Sequence, residues 1–181
     1  MQDILNKQSM KFMLLTSISF ASTYFSFAQK NSFLNELTVK WENARNYTIQ
    51  VAQLVPESNY NYKPIAEVMT FAEQLSHLSN NMLWLSSGFL TEEKAPISSS
   101  DFNGKSKMEM INLSQKSFDF VSKVLKEFDP SELENKIEFA GQKMTKRQIF
   151  LLINDHLTHH RAQMIVYLRL MNIKPPRYIG W

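Results

Sequence analysis

Apolar residues recurring at steps of three and four, in four separate stretches, constrain this chain more than any other feature. Leu34, Leu37, Trp41, Ala44, Tyr47, Val51 and Leu54 make the first stripe. Phe71, Leu75, Leu78, Met82, Leu85 and Phe89 make the second, and Ile111, Phe118, Val121, Leu125 and Phe128 the third. The fourth stretch runs from Lys146 to Met171. Such steps keep side chains on one face of an α-helix, whereas a half-buried strand needs strict alternation. Capping boxes open the last three segments, pairing Thr70 with Glu73, Ser106 with Glu109 and Thr145 with Gln148. In each, the hydroxyl accepts from a backbone amide one turn on, and the longer side chain reaches back to the cap. Pro56, Pro64, Pro130 and the Pro175-Pro176 pair bar continuation between or beyond the segments. Lys136–Met144 (KIEFAGQKM) fits a short hairpin turning at Ala140-Gly141. The predicted fold class is all-α, a four-helix bundle with a short hairpin before the last helix.

A chain of 181 residues, 44% hydrophobic, is long enough for one real core and short for two domains. The formal charge of +3 is weakly basic, and the Lys and Arg residues are scattered. A nucleic-acid partner calls for a clustered basic face, so none is expected. Four glycines leave little for a phosphate-cradling loop, and the absence of cysteine excludes disulfides and protein thiolates. The N-terminal stretch speaks to compartment. After Met10 and Lys11 comes an apolar run dotted with Ser and Thr, and Ser26-Phe27-Ala28 puts small residues at the last and third-last places before Gln29. That is the layout of a secretory signal peptide. Its rivals are a membrane anchor and an ordinary first helix; the run is short and hydroxyl-rich for a span. Residues 1–28 are therefore read as the signal peptide, with Met10 as the start, and 29–181 as a single domain. The expected location is extracytoplasmic, periplasmic or secreted, with no stable membrane insertion after processing.

All four histidines fall in two places: His77 in the second segment, and His156, His159 and His160 in the fourth. At about 100° per residue, Ile149, Ile153, His156, His160, Met164 and Tyr167 share one face, with Gln163 at its edge. Two imidazoles four apart thus sit in an apolar stripe, where each needs a partner. Residues at that spacing bring their Cβ atoms to about 5–6 Å, a separation at which both rings reach one metal ion. His77 lies beside its helix's core stripe, in a lane with Gln74, Asn81 and Trp84, where a cleft between helices would open. His159 points about 60° off the face, next to Asp155, and reads as a flanking residue paired with that carboxylate. A helical pair of histidines alone is more often hydrogen-bonded than metal-bound; the apolar setting and the third histidine shift the balance to metal.

The run NDHLTHHRAQ (Asn154–Gln163), with the lone histidine of FAEQLSHLSNNMLW (Phe71–Trp84) some eighty residues earlier, resembles the DinB/YfiT-like family. The resemblance covers residues 33–171. It implies a four-helix bundle whose three metal ligands fall on His77, His156 and His160. It further implies a metal-dependent hydrolase or, as in some relatives, a transferase of low-molecular-weight thiols.

Three neutral imidazoles leave a divalent ion at least one open position. Zinc or nickel suits such a set, and iron, copper or manganese is compatible with it. The expected partner is a small-molecule substrate or ligand, and a homodimer is left open. No general base is identified: Leu157 follows His156, so this is not a metalloprotease motif, and the capping box accounts for Glu73. Gln163 and Tyr167, just beyond the ligands, are candidates to hydrogen-bond a substrate. Asn81 and Trp84 are candidate pocket walls, and Tyr60, Tyr62 and Trp181 candidate closures of its mouth. The terminal Pro-Pro-Arg-Tyr-Ile-Gly-Trp tail is expected to cover the end of the bundle. The alternative to an enzyme is a non-catalytic metal- or ligand-binding module.

Overall fold

The computed structural model describes residues 32–181. The expected signal peptide, with Met10 and its cleavage point before Gln29, lies outside the described residues. Four helices carry the structure: α1 over residues 32–54, α2 over Phe71–Phe89, α3 over Lys107–Glu127 and α4 over Lys146–Leu170. Thr70, Ser106 and Thr145 each form the reciprocal capping box read from the sequence. Each box satisfies two backbone or cap donors that would otherwise be orphaned, worth about 1 kcal/mol.

The stripes become the core. Leu34, Leu37, Trp41, Ala44, Tyr47 and Val51 of α1 are buried, as are Phe71, Leu75, Leu78, Met82 and Leu85 of α2. One expected core residue differs: Leu54 is 43% exposed, and Val55 takes the last core position at 0%. Leu54 follows Tyr47 by seven residues and so shares its lane. That lane is buried only where other groups cover it, as Arg161 covers Tyr47.

Specific contacts fix the directions of the helices. The Trp41 indole N–H donates to the Phe118 carbonyl at 3.3 Å and Arg45 pairs with Asp119 at 2.8 Å, which ties α1 to α3; the start of α3 lies against the end of α1, so the two run antiparallel. The Lys107 ammonium, at the start of α3, donates to the Gln53 and Val55 carbonyls at the end of α1, each at 2.7 Å. A cation there satisfies helix C-terminal acceptors. Ser79 of α2 meets Ser114 of α3 at 3.0 Å, two small side chains that let these parallel helices approach. Because α2 and α3 are parallel, residues 90–106 travel the length of the bundle, with one short 3-10 turn at Ser99–Phe102. α2 and α4 pack antiparallel, with Gln74 against Gln163 and the Met69 carbonyl, just before α2, against Tyr167.

Strands β1 (Lys136–Phe139) and β2 (Gln142–Thr145) form the expected hairpin, with Phe139 opposite Gln142. Its turn places Ala140 at φ 49° and Gly141 at φ 78°. Two left-handed residues match the twist of a two-residue hairpin, at a steric cost for Ala140. The last residue of β2, Thr145, is also the cap of α4, and Lys146 pairs with Glu132. The hairpin thereby sets where α4 begins. Among the described residues, no helix is long and apolar enough to cross a membrane.

Candidate metal centre

The antiparallel pairing of α2 and α4 brings His77 opposite His156 and His160. Ring centroids stand 5.0 Å apart for His77–His156, 4.5 Å for His77–His160 and 4.4 Å for His156–His160, a nearly equilateral triangle. One ring nitrogen from each lies within 4.8 Å of the other two. The Nε2 atoms of His77 and His156 are 3.2 Å apart. Two nitrogens bound to one tetrahedral ion at about 2.0–2.1 Å would stand about 3.3–3.4 Å apart. An N–H···N hydrogen bond between neutral rings has a similar span, so this distance alone does not separate the two.

The chain around His160 adds a feature common to metal ligands. Gln74 is buried, and its Oε1 stands 2.6 Å from His160 Nδ1. The amide's other end donates to Gln163 Oε1 at 2.7 Å and to the Tyr167 hydroxyl at 3.4 Å. Tyr167 in turn donates to the Met69 carbonyl at 2.9 Å. Every proton in this run has one consistent direction: Gln74 Oε1 can only accept, so His160 carries its proton on Nδ1 and keeps a lone pair on Nε2. Metal-binding histidines are commonly held in this way, by a second group on the nitrogen that does not bind.

Protonation also favours a ligand set. Burial pushes the His160 imidazole down to about 4, with His156, His77 and His159 acting in the same direction. Burial pushes His156 down to about 4, helped by His77 and His159, and burial lowers His77 as well. Near neutral pH all three rings therefore offer lone pairs rather than charges. Three neutral nitrogens, converging from two helices with one tautomer imposed, form a group able to hold a metal ion.

The flanking residues take other places than the sequence suggested. His159 is exposed and its partner is Gln163, whose Nε2 donates to His159 Nε2 at 2.8 Å, rather than Asp155. Both stand one turn from His159, but Gln163 is held in position by Gln74 while Asp155 stays in solvent. Gln163 and Tyr167, considered as substrate contacts, are engaged in orienting Gln74. Trp84 is 54% exposed and packs on Phe89 and Phe139, where it anchors the hairpin. Tyr60 is buried against Phe71, and its hydroxyl donates to the Ala52 carbonyl. Tyr62 meets Tyr167 edge-on, while Trp181 lies beside Lys40 on α1. The Asn81 Oδ1, one turn on from His77, is buried with no hydrogen-bond partner among the described residues. Glu73 accepts from its own cap, Thr70 N, at 2.7 Å. Gln74 is the residue that sequence reasoning passed over. Its signal was a lone glutamine one turn before His77, in the same lane.

Replacing Gln74 separates orientation from mere packing. Gln74→Leu is expected to weaken zinc affinity about 10–100-fold, measured by chelator competition, while Gln74→Glu, which keeps an acceptor for Nδ1–H, retains most of it. Equal affinities in wild type and Gln74→Leu would contradict the orienting role.

Comparisons with known proteins agree with this architecture. The DinB family model matches residues 28–179. YjoA of Bacillus subtilis (strain 168) is 24% identical over 143 residues, covering 76% of this chain and 90% of YjoA. The crystal structure of that dinb-like protein superposes with a TM-score of 0.66 at 22% identity, covering 80% of this chain and 97% of the other. A dinb-like protein from Bacillus cereus ATCC 10987 gives 0.65 at 18% identity, covering 82% and 96%. These structures share the fold, and the family match spans nearly all the described residues. The chain belongs to the DinB family.

Proposed function

We propose that this protein holds one divalent metal ion on His77, His156 and His160 and acts on a small molecule, by hydrolysis or thiol transfer. The observation that carries the proposal is the group of three neutral imidazoles with the His160 tautomer set by Gln74. An ion of the zinc or nickel type supplies Lewis acidity there, which acidifies water or a thiol and polarises a carbonyl. The chain's own part is positional. Gln74, itself gripped by Gln163 and Tyr167, keeps the His160 ring in one orientation. His77 and His156 are only half-buried, which leaves the group approachable from one side. The unpartnered Asn81 oxygen is an acceptor for a donor group on an incoming molecule.

A second reading, a non-catalytic module that sequesters metal or holds a ligand, has its own support. The two acidic residues nearest in sequence to the ligands are otherwise placed, Glu73 in its cap and Asp155 in solvent. Neither is placed as a general base for hydrolysis. Elemental analysis of protein purified without a metal-affinity tag is expected to give about one divalent ion per chain, lost in His77→Ala and in His160→Ala. Metal-loaded protein should then turn over members of an ester, amide or thiol-transfer panel, and His156→Ala should not. Metal without turnover would favour the sequestering module, and no metal in the wild type would overturn both.

Export is a separate proposal, resting on the sequence of residues 10–29 alone. N-terminal sequencing of protein recovered outside the cytoplasm is expected to begin at Gln29; an intact Met1 or Met10 there would refute it. For an exported copy, hydrolysis is the more coherent chemistry, since cytosolic thiols are scarce outside.

A further inference from the structure

The residue after His160 faces the other way and poses a different problem. Arg161 is only 7% exposed, yet no carboxylate pairs with it among the described residues. Its guanidinium makes two long hydrogen bonds, 3.4 Å to the Ala44 carbonyl and 3.3 Å to the Thr158 hydroxyl, and stacks 5.2 Å from the Tyr47 ring. A guanidinium carries five N–H donors in a planar fork, and a buried charge is costly unless it is paired. Two weak bonds and one ring leave most of that capacity unused.

A small cavity lies against this side chain. It measures about 70 Å³ and is lined by Lys40, Asn154, Thr158 and Arg161 from α1 and α4, and by Tyr178 and Gly180 of the tail. Its lining holds two cations and no acid. Asn154 is 8% exposed, and its side chain makes no hydrogen bond among the described residues. Two buried polar side chains with free hydrogen-bonding capacity thus border the same space. The tail closes it, running beside α1 rather than over the bundle's end: Tyr178 packs on Tyr47, and Trp181 lies under the Lys40 ammonium.

We propose that this cavity is a binding site for a small oxyanion, a phosphate-like or carboxylate group, held by Arg161 with Lys40, Asn154 and Thr158. A bidentate oxyanion matches the guanidinium fork and supplies the missing counter-charge. The cavity exceeds the roughly 10–15 Å³ that a single water requires on the same measure, which leaves room for a small oxyanion. The site is distinct from the histidine group, which faces α2 from the other side of α4.

An anion that binds only the folded chain stabilises it by RT ln(1 + [L]/Kd), so the melting temperature climbs with the logarithm of concentration once the anion exceeds its Kd. The test is thermal melting of the chelator-treated full chain in sodium phosphate, sodium acetate and sodium chloride at matched ionic strength. Phosphate or acetate, but not chloride, is expected to raise the melting temperature with this logarithmic dependence, and which of the two does so reports a tetrahedral or a planar ligand. Lys40→Gln and Thr158→Val, on the partly exposed rim, should each weaken the apparent affinity about tenfold, read against that variant's own melting in chloride. Arg161→Gln should abolish the response if it folds; the rim variants carry the test if it does not. Identical melting in all three salts would overturn the proposal. So would a phosphate effect that survives both rim substitutions, which would mark an adventitious ion only.

Discussion

The hydrogen bond from His160 Nδ1 to Gln74 Oε1, 2.6 Å long and buried between α2 and α4, organises everything near the histidines. Gln74 has one acceptor oxygen and two donor hydrogens, and α4 meets all three with His160, Gln163 and Tyr167. An amide so enclosed cannot flip without leaving buried donors facing donors, a loss of about 1–3 kcal/mol for each unsatisfied group. The network therefore sets more than a tautomer. It fixes the rotation of α4 against α2, and with it the approach of His156 to His77.

This dependence explains which parts of the molecule the sequence revealed. Stripes, caps and the hairpin turn are local: each is decided by residues within a few positions, and the structure returns them with small changes. The grouping of His77, His156 and His160 was legible too, because helical spacing and burial place them on facing sides. Gln74 was not legible as an organiser, since a polar residue beside a core stripe is ordinarily solvated. Its role exists only because three residues about ninety positions away converge on it. His159 shows the same limit at short range. Asp155 and Gln163 are equally distant along the helix, and a carboxylate is the stronger acceptor for an imidazole N–H. A tertiary contact, Gln74 on Gln163, decides otherwise.

Surfaces were the least legible. Leu54 shares a lane with Tyr47 and fits the first stripe, yet nothing fully covers it. The tail's two prolines announced the end of α4 without indicating where the chain goes next; it returns beside α1 and meets Tyr47 and Lys40. Arg161 belongs to the same category. Within the family motif it reads as one residue among several, and only the structure shows a buried cation beside an acid-free cavity. α4 thus presents two chemistries on opposite sides, neutral nitrogens toward α2 and a guanidinium toward α1.

The claim on which the functional reading rests is that three imidazoles converge on one ion. X-ray absorption at the metal edge of the zinc-loaded protein tests it directly. Three nitrogen scatterers at about 2.0–2.1 Å, with the outer-shell pattern of imidazole rings, are the expected result. A first shell dominated by oxygen, with one imidazole or none, would contradict it.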